Sequence, residues 1–211
     1  MNIEDKVAWV HGSTSHQELA ERYDIWAHDY DRDLIDEAGY IGPQRAVEEL
    51  TQYLSKDAKI LDAGVGTGLV GKILHEQGYD HLEGMDLSAG MLQKAAEKKV
   101  YTALHQQVMG EPLDFATDSF DGIVSVGVLT YGHAPSSSFD ELIRITKPGG
   151  YIIFPLISEF YETSDFKAKM TALETSGQWQ LVSLSDPFQA LPKMAPDFYY
   201  QIWVYRVGSA R

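Results

Sequence analysis

One glycine-rich stretch, residues 60–74 (ILDAGVGTGLVGKIL), constrains the fold more than any other part of the chain. A short apolar run ends in Asp62, and Gly64, Gly66 and Gly68 follow at alternate positions before a second apolar segment. Glycines here allow the backbone to turn sharply, and a ligand can approach the main chain because no Cβ intervenes. The stretch therefore predicts a strand, a ligand-binding turn and a helix, which is how an open α/β sheet begins.

The phase of the glycines separates two classes of cofactor. A GxGxxG dinucleotide fingerprint would place its third glycine at position 69, where this chain has Leu69. Asp62 would repel a pyrophosphate and attract a cation at short range. Asp86 ends the next apolar segment, 24 positions after Asp62, and a carboxylate there can accept both hydroxyls of an adenosine ribose in either class. The pattern favours S-adenosylmethionine, a sulfonium and ammonium cation without phosphate.

Several stretches together resemble the motifs of class I S-adenosylmethionine-dependent methyltransferases: DxGxGxG, Asp86, FDGIVSVGVL (120–129) and KPGGYIIF (147–154). YDIWAHDYDRDL and ITKPGG are similar to the methyltransferase-like proteins named for the Williams–Beuren chromosome region. The resemblance covers roughly residues 23–207. It implies a three-layer α/β fold with a doubly wound, mostly parallel, seven-stranded Rossmann-like sheet and an antiparallel last strand. It also implies S-adenosylmethionine as cofactor and S-adenosylhomocysteine as product.

The order of elements predicts one domain over residues 1–211, made of a helical lid (1–56), a cofactor-binding core (57–157) and a C-terminal segment (158–211) that completes the sheet. Ser15 and Glu18 form a capping-box pattern that predicts a helix from His16 to Leu34. The apolar run 122–129 predicts a strand buried on both faces. Residues 147–150 predict a turn, and residues 161–177 predict one helix.

Composition limits the partners. A hydrophobic content of 44% with 23% charged residues indicates a globular chain. The formal net charge of −14 argues against nucleic acid and against an anionic membrane surface. The chain has no cysteine, which excludes thiolate metal sites, and we expect no metal. The first residues lack a signal-peptide pattern, so we expect a cytoplasmic protein; the oligomeric state stays open.

The residues and the resemblance together predict a cofactor site. Tyr23, Trp26 and Tyr30 lie on one helical stripe and would exclude water from the sulfonium, although core packing explains the stripe equally well. Leu87 and Met91 would flank the ribose and adenine, with packing again an equal explanation. The predicted cofactor residues are Asp62, Gly64, Gly66, Gly68, Asp86, Leu87, Met91, Met109, Gly110, Gly127, Tyr23, Trp26 and Tyr30.

A loop after the fourth strand carries the candidates for catalysis. His133 would act as a general base with Tyr131 as its partner, and His28 is an alternative candidate for the base. An acceptor that needs no deprotonation would need no base. An apolar loop near the C-terminus either seals the sheet or forms a wall of the acceptor pocket. The predicted substrate-binding residues are Tyr131, Phe160, Tyr161, Phe188 and Phe198.

Three functions are compatible with these patterns. The favoured one is methyl transfer from S-adenosylmethionine to a small-molecule acceptor by in-line displacement. An NAD-dependent oxidoreductase would have to tolerate Asp62 and lack the third fingerprint glycine. A non-catalytic, S-adenosylmethionine-binding regulatory protein would bind the cofactor but have no acceptor pocket.

Overall fold

The computed structural model describes residues 1–209; residues 210–211 of the predicted C-terminal segment lie outside the described residues. The helices are α1 (Ile3–His11), α2 (His16–Trp26), α3 (Gly42–Leu50), α4 (Leu69–Glu76), α5 (Ala89–Glu97), α6 (Ser138–Ile145), α7 (Ser158–Thr163) and α8 (Phe166–Thr175), with a π-helical segment at Arg32–Glu37. The strands are β1 (Ile60–Ala63), β2 (Leu82–Asp86), β3 (Ala103–Gln106), β4 (Phe120–Val124), β5 (Thr146–Ile157), β6 (Trp179–Leu184), β7 (Phe188–Gln189) and β8 (Tyr199–Val207).

The strands form one sheet in the order β3-β2-β1-β4-β5-β8-β6. Strands β1 to β5 pair in parallel along this order, and β8 is antiparallel to both of its neighbours, β5 and β6. This confirms the predicted doubly wound, mostly parallel seven-stranded sheet with an antiparallel last strand. The two-residue β7, which pairs with the start of β8, is an addition that the sequence did not predict.

Central strands bury both faces, as their apolar sequences require. On β4, Ile123 joins a cluster that includes Phe139 of α6 and Met170 of α8, whereas Val124 joins a cluster on the other face that includes Val47 of α3. Neighbouring residues therefore point to opposite helix layers, and three layers result. The carboxyl ends of β1, β2 and β4 lie side by side where the strand order reverses, which is where open α/β sheets bind ligands.

The glycine-rich turn connects β1 to α4 as predicted. Gly64, Gly66 and Gly68 all have positive φ angles, of 83°, 53° and 87°. At Gly64 a side chain is excluded sterically as well, since an added Cβ would lie 2.0 Å from a methyl group of Val128. The loop after β4 therefore packs directly on this turn.

The N-terminal lid differs from the prediction. Helix α1 was not predicted, and the helix that Ser15 does cap ends at Trp26 instead of continuing to Leu34. The Asp33 carboxylate is turned inward, where it accepts hydrogen bonds from Trp26 Nε1 at 2.9 Å and from Lys6 Nζ at 2.5 Å. Burying and pairing this carboxylate holds α1, α2 and the π-helical segment together.

Three further boundaries were predicted wrongly. Strand β4 ends at Val124, so residues 125–129 belong to the following loop. Residues 147–150 lie within β5 beside an irregularity in its pairing with β4, where Gly149 has a φ of 81°. The predicted helix over residues 161–177 is two helices, α7 and α8. No helix among residues 1–209 is both long enough and apolar enough to cross a lipid bilayer.

Candidate active site

A first cavity of about 650 Å³ opens at the carboxyl ends of β1, β2 and β4. The strand ends supply its floor, and the lid helix α2 covers it. Among the residues predicted for the cofactor, those that line this cavity are Gly64, Gly66, Asp86, Leu87, Met91, Met109, Gly127, Tyr23 and Tyr30. Leu19 of α2 and Val108 also line it, although neither was among the predicted cofactor residues. Leu19 could have been predicted, because it lies on the same helical stripe as Tyr23.

Asp62 is not on this cavity, contrary to the prediction. Its carboxylate is 2% exposed and accepts a hydrogen bond from the Tyr101 hydroxyl at 2.7 Å. Burial raises the pKa of Asp62 to about 7. Asp62 therefore fixes the end of β1 to Tyr101, and the predicted contact with a cationic ligand is corrected.

Three other predicted cofactor residues lie elsewhere. Gly68 precedes α4 and faces Tyr101 and α5. Gly110 packs against Pro135, whose ring lies 2.7 Å from where a Cβ would be. Trp26 lines a second cavity and donates its indole hydrogen to Asp33, so it does not cover the first.

Asp86 is the carboxylate of the first cavity. Its oxygens accept hydrogen bonds from the backbone N–H of Gly66 at 2.8 Å and of Ser88 at 2.9 Å. The side chain is 7% exposed, and burial raises its pKa to about 6 despite these donors. A carboxylate has about four lone-pair positions, so Asp86 retains acceptor capacity for a ligand in the cavity.

A second cavity, of about 1390 Å³, adjoins the first beneath α1 and α2. Of the residues predicted for the acceptor, Tyr131 and Phe198 line it. Phe160 lies in the core, with its ring 4.9 Å from that of Phe166. Tyr161 packs on Trp203, and Phe188 packs beside Tyr200. These last three predictions are corrected, because none of the three rings lines the cavity, although Phe160 packs behind Tyr131 and Phe188 behind Tyr200.

The two cavities share four residues, Tyr23, Tyr30, Gly127 and His133. His133 Nδ1 lies 2.8 Å from the carbonyl oxygen of Tyr131, and Nε2 lies 2.6 Å from the Tyr23 hydroxyl. Because a carbonyl only accepts, Nδ1 carries the ring hydrogen and Nε2 accepts from Tyr23. Burial lowers the pKa of His133 to about 4, so the ring is neutral at pH 7.

The predicted partners of His133 need correction. Tyr131 contributes its carbonyl and not its hydroxyl, and the side-chain partner is Tyr23, 110 positions away in sequence. The alternative base, His28, has an 87% exposed side chain beside Asp29 and lines neither cavity. His11, which the sequence did not mark as a site residue, lines the second cavity and packs edge-on against His133 with ring centroids 5.0 Å apart.

Two carboxylates attach the lid to the core. Asp24 of α2 accepts from the Ser88 hydroxyl at 2.5 Å and from the Gly90 N–H at 2.7 Å, at the start of α5. Asp31 accepts from the Thr67 hydroxyl and from Lys98 Nζ, the latter at 2.8 Å. The lid is therefore hydrogen-bonded both to the glycine turn and to α5.

Comparison with known proteins identifies the fold and the family. Residues 61–154 match a methyltransferase domain model. Methyltransferase-like protein 27 of Homo sapiens is 35% identical over 185 residues, which cover 84% of this chain and 75% of the human protein. The chain belongs to this family of class I S-adenosylmethionine-dependent methyltransferases. The methyltransferase therefore uses S-adenosylmethionine as its cofactor and releases S-adenosylhomocysteine.

Other similarities are more distant. An 18S rRNA (guanine-N(7))-methyltransferase of Arabidopsis thaliana is 36% identical over 87 residues, 41% of this methyltransferase and 30% of the plant protein. The solved structure of the [4+2]-cyclase SpnF has a TM-score of 0.71 at 15% identity and covers 92% of this chain and 96% of its own. That likeness concerns the fold alone.

The chemistry of the first cavity fits the cofactor of a methyltransferase. In the glycine turn, the N–H groups of Gly64 and Val65 bond the carbonyl of Met85, and the N–H of Gly66 bonds Asp86. These donors are thus used within the protein, whereas a pyrophosphate would need them. Within residues 1–209, neither lysine nor arginine lines either cavity. The occupied N–H donors and the lack of lysine and arginine explain the preference for a phosphate-free cation better than the charge of Asp62 does.

Proposed function

We propose that this methyltransferase methylates a small-molecule acceptor held in the second cavity. The observation that supports it is the shared wall of Tyr23, Tyr30, Gly127 and His133, which brings an acceptor in one cavity next to a cofactor in the other. The bound cofactor supplies a methyl group on a sulfonium. Alignment and exclusion of water at such a junction account for much of the rate of an in-line displacement.

The first cavity would hold the cofactor through specific residues. Asp86 would accept the ribose hydroxyls with its remaining lone pairs, and Leu87 and Met91 would flank the adenosyl group. Tyr23 and Tyr30 of the lid would exclude water. Gly127, with a φ of 78°, would leave room between the two ligands because it has no side chain.

His133 would act as the general base through Tyr23. An acceptor hydroxyl or amine becomes strongly acidic only as its new bond to carbon forms. Its proton would pass to the Tyr23 oxygen while the Tyr23 proton passes to His133 Nε2, which already accepts that hydrogen bond at 2.6 Å. A histidine of low pKa is a weak base, which suffices for a proton released late in the reaction.

A nucleic-acid acceptor is the second candidate, since the Arabidopsis relative is named for methylation of rRNA. The net charge of −14 opposes it, because binding of nucleic acid depends on lysine and arginine contacts to phosphate. Neither lysine nor arginine among residues 1–209 lines the second cavity. The small-molecule proposal is therefore preferred.

The test combines an acceptor screen with one variant. The protein, a labelled methyl donor and either a metabolite extract or total RNA are incubated, and labelled products are identified by mass spectrometry. We expect label in a metabolite, and His133→Ala should reduce turnover by about 10²–10⁴. Label found only in RNA would overturn the small-molecule acceptor. Unchanged turnover in His133→Ala would overturn the role of the base.

A further inference from the structure

The second cavity contains a group of tyrosine hydroxyls without protein partners. Tyr30, Tyr40 and Tyr200 all line it. Among residues 1–209, none of these three hydroxyls has a hydrogen-bond partner, whereas the Tyr23 hydroxyl is bonded to His133. The three side chains are half-buried and line the cavity, so their unpaired hydroxyls are available to a ligand there.

The three tyrosines line one cavity, and Tyr30 and Tyr40 stand at its border with the first cavity. Burial raises the pKa of each phenol, that of Tyr200 to about 12. The groups therefore stay protonated and can donate at neutral pH. The hydroxyl of Tyr40 would lie 3.3 Å from a Cβ built on Gly127, which places it where the two cavities meet.

The backbone is shaped to put Tyr40 there. Gly42 lies under the Tyr40 ring, and a Cβ at Gly42 would be 2.5 Å from the ring carbon Cε2. Glycine at position 42 is thus needed for this ring position, even though its φ is not in the left-handed region. The same residue begins α3, so Tyr40 is fixed by the start of that helix.

The charge around the hydroxyls restricts the ligand further. The ionisable side chains that line the cavity, besides tyrosines, are Glu4, His11 and His133, and no lysine or arginine lines it within residues 1–209. Apart from Thr130, the rest of the wall is apolar or aromatic, including Trp26 and Phe198. A carboxylate or phosphate would lose its hydration without gaining a cation, which costs far more than burying a neutral group. Aromatic faces tolerate a cation.

We propose that the acceptor is an apolar small molecule without negative charge, whose hydroxyl or amine group is bound by the hydroxyls of Tyr40 and Tyr200. Tyr40 serves as a positioning residue for the atom that receives the methyl group. This inference rests on the proposed function and narrows its substrate class.

The test measures binding, so that it does not depend on turnover. Calorimetry on the protein saturated with S-adenosylhomocysteine compares three probes on one ring system: naphthalene, 2-naphthol and 2-naphthoate. We expect 2-naphthol to bind about tenfold more tightly than either of the others. Tyr40→Phe and Tyr200→Phe should each reduce the advantage of 2-naphthol over naphthalene by about threefold to tenfold and leave affinity for S-adenosylhomocysteine unchanged.

Tyr199→Phe is the matched control, since Tyr199 is the neighbour of Tyr200 on β8, is 48% exposed and does not line the cavity. It should behave as the wild type. Binding of 2-naphthoate as tight as that of 2-naphthol, equal binding of 2-naphthol by the two phenylalanine variants, or no binding of any probe would overturn the inference. A protein that binds 2-naphthol as expected but transfers label to no metabolite would instead refute the proposed function.

Discussion

Acidification should weaken cofactor binding through a single carboxyl group, Asp86. This side chain lines the first cavity, where the cofactor is proposed to bind, and burial raises its pKa to about 6. Ribose hydroxyls bind an ionised carboxylate more strongly than a protonated one. With a pKa of about 6, roughly one Asp86 in ten is ionised at pH 5 and nine in ten at pH 7. The dissociation constant of S-adenosylhomocysteine should therefore rise about tenfold between pH 7 and pH 5, which is ~1.4 kcal/mol.

Isothermal titration calorimetry with S-adenosylhomocysteine measures this directly. Asp86→Asn removes the titrating group, so its affinity should be lower at pH 7 by about 1–3 kcal/mol and nearly independent of pH. Asp62→Asn is the matched control, because Asp62 is also buried with a raised pKa but does not line the cavity. It should retain the wild-type dependence on pH. A constant wild-type affinity, or loss of the dependence in Asp62→Asn instead, would refute the reasoning.

Two further predictions concern the carboxylates that support the site. The folded-state pKa of Asp62, about 7, exceeds its ordinary value of 3.8, so the stability that the neutral carboxyl provides at low pH is lost progressively as the pH rises from about 4 to 7. Relative to the wild type, Asp62→Asn should therefore gain stability in urea denaturation progressively between pH 4 and pH 8, by up to about 4 kcal/mol; a difference that does not change with pH would contradict the burial argument. Asp24→Ala removes the contacts of α2 with Ser88 and Gly90. It should weaken S-adenosylhomocysteine binding by about 1 kcal/mol and accelerate proteolysis of the lid. Glu21→Ala, on the exposed side of α2, is the control and should have neither effect. Unchanged proteolysis in Asp24→Ala would show that this attachment is not what holds the lid.

The sheet and the glycine turn were predictable because their signals are local. Position 64 has a positive φ and no room for a Cβ, and glycine is the residue that satisfies both conditions. Continuous apolar runs identify strands buried on both faces. The end of β4 was misplaced because the apolar run continues to Leu129, and Val126 and Val128 line the cofactor cavity instead of extending the strand.

The site was less predictable wherever a partner comes from far along the chain. Asp62 looks like a ligand group until Tyr101, 39 positions later, donates to it. The pairing of Tyr23 with His133 likewise depends on how the lid folds over the sheet. Tyr40 stands two residues before Gly42, but nothing local shows that its ring packs on this glycine or that it faces a cavity.

The Tyr23–His133 hydrogen bond links packing of the lid on the core to assembly of the proposed catalytic pair. Tyr23 belongs to α2 and His133 to the loop after β4, so the bond forms only when the lid lies on the core. The same two side chains stand where the cavities meet. Since the lid also supplies Tyr30 to both cavities, neither binding site is complete without it. Packing of the lid on the core therefore completes both cavities and places the proposed proton acceptor between them. The same packing buries His133, which is why its pKa is low and its ring is neutral.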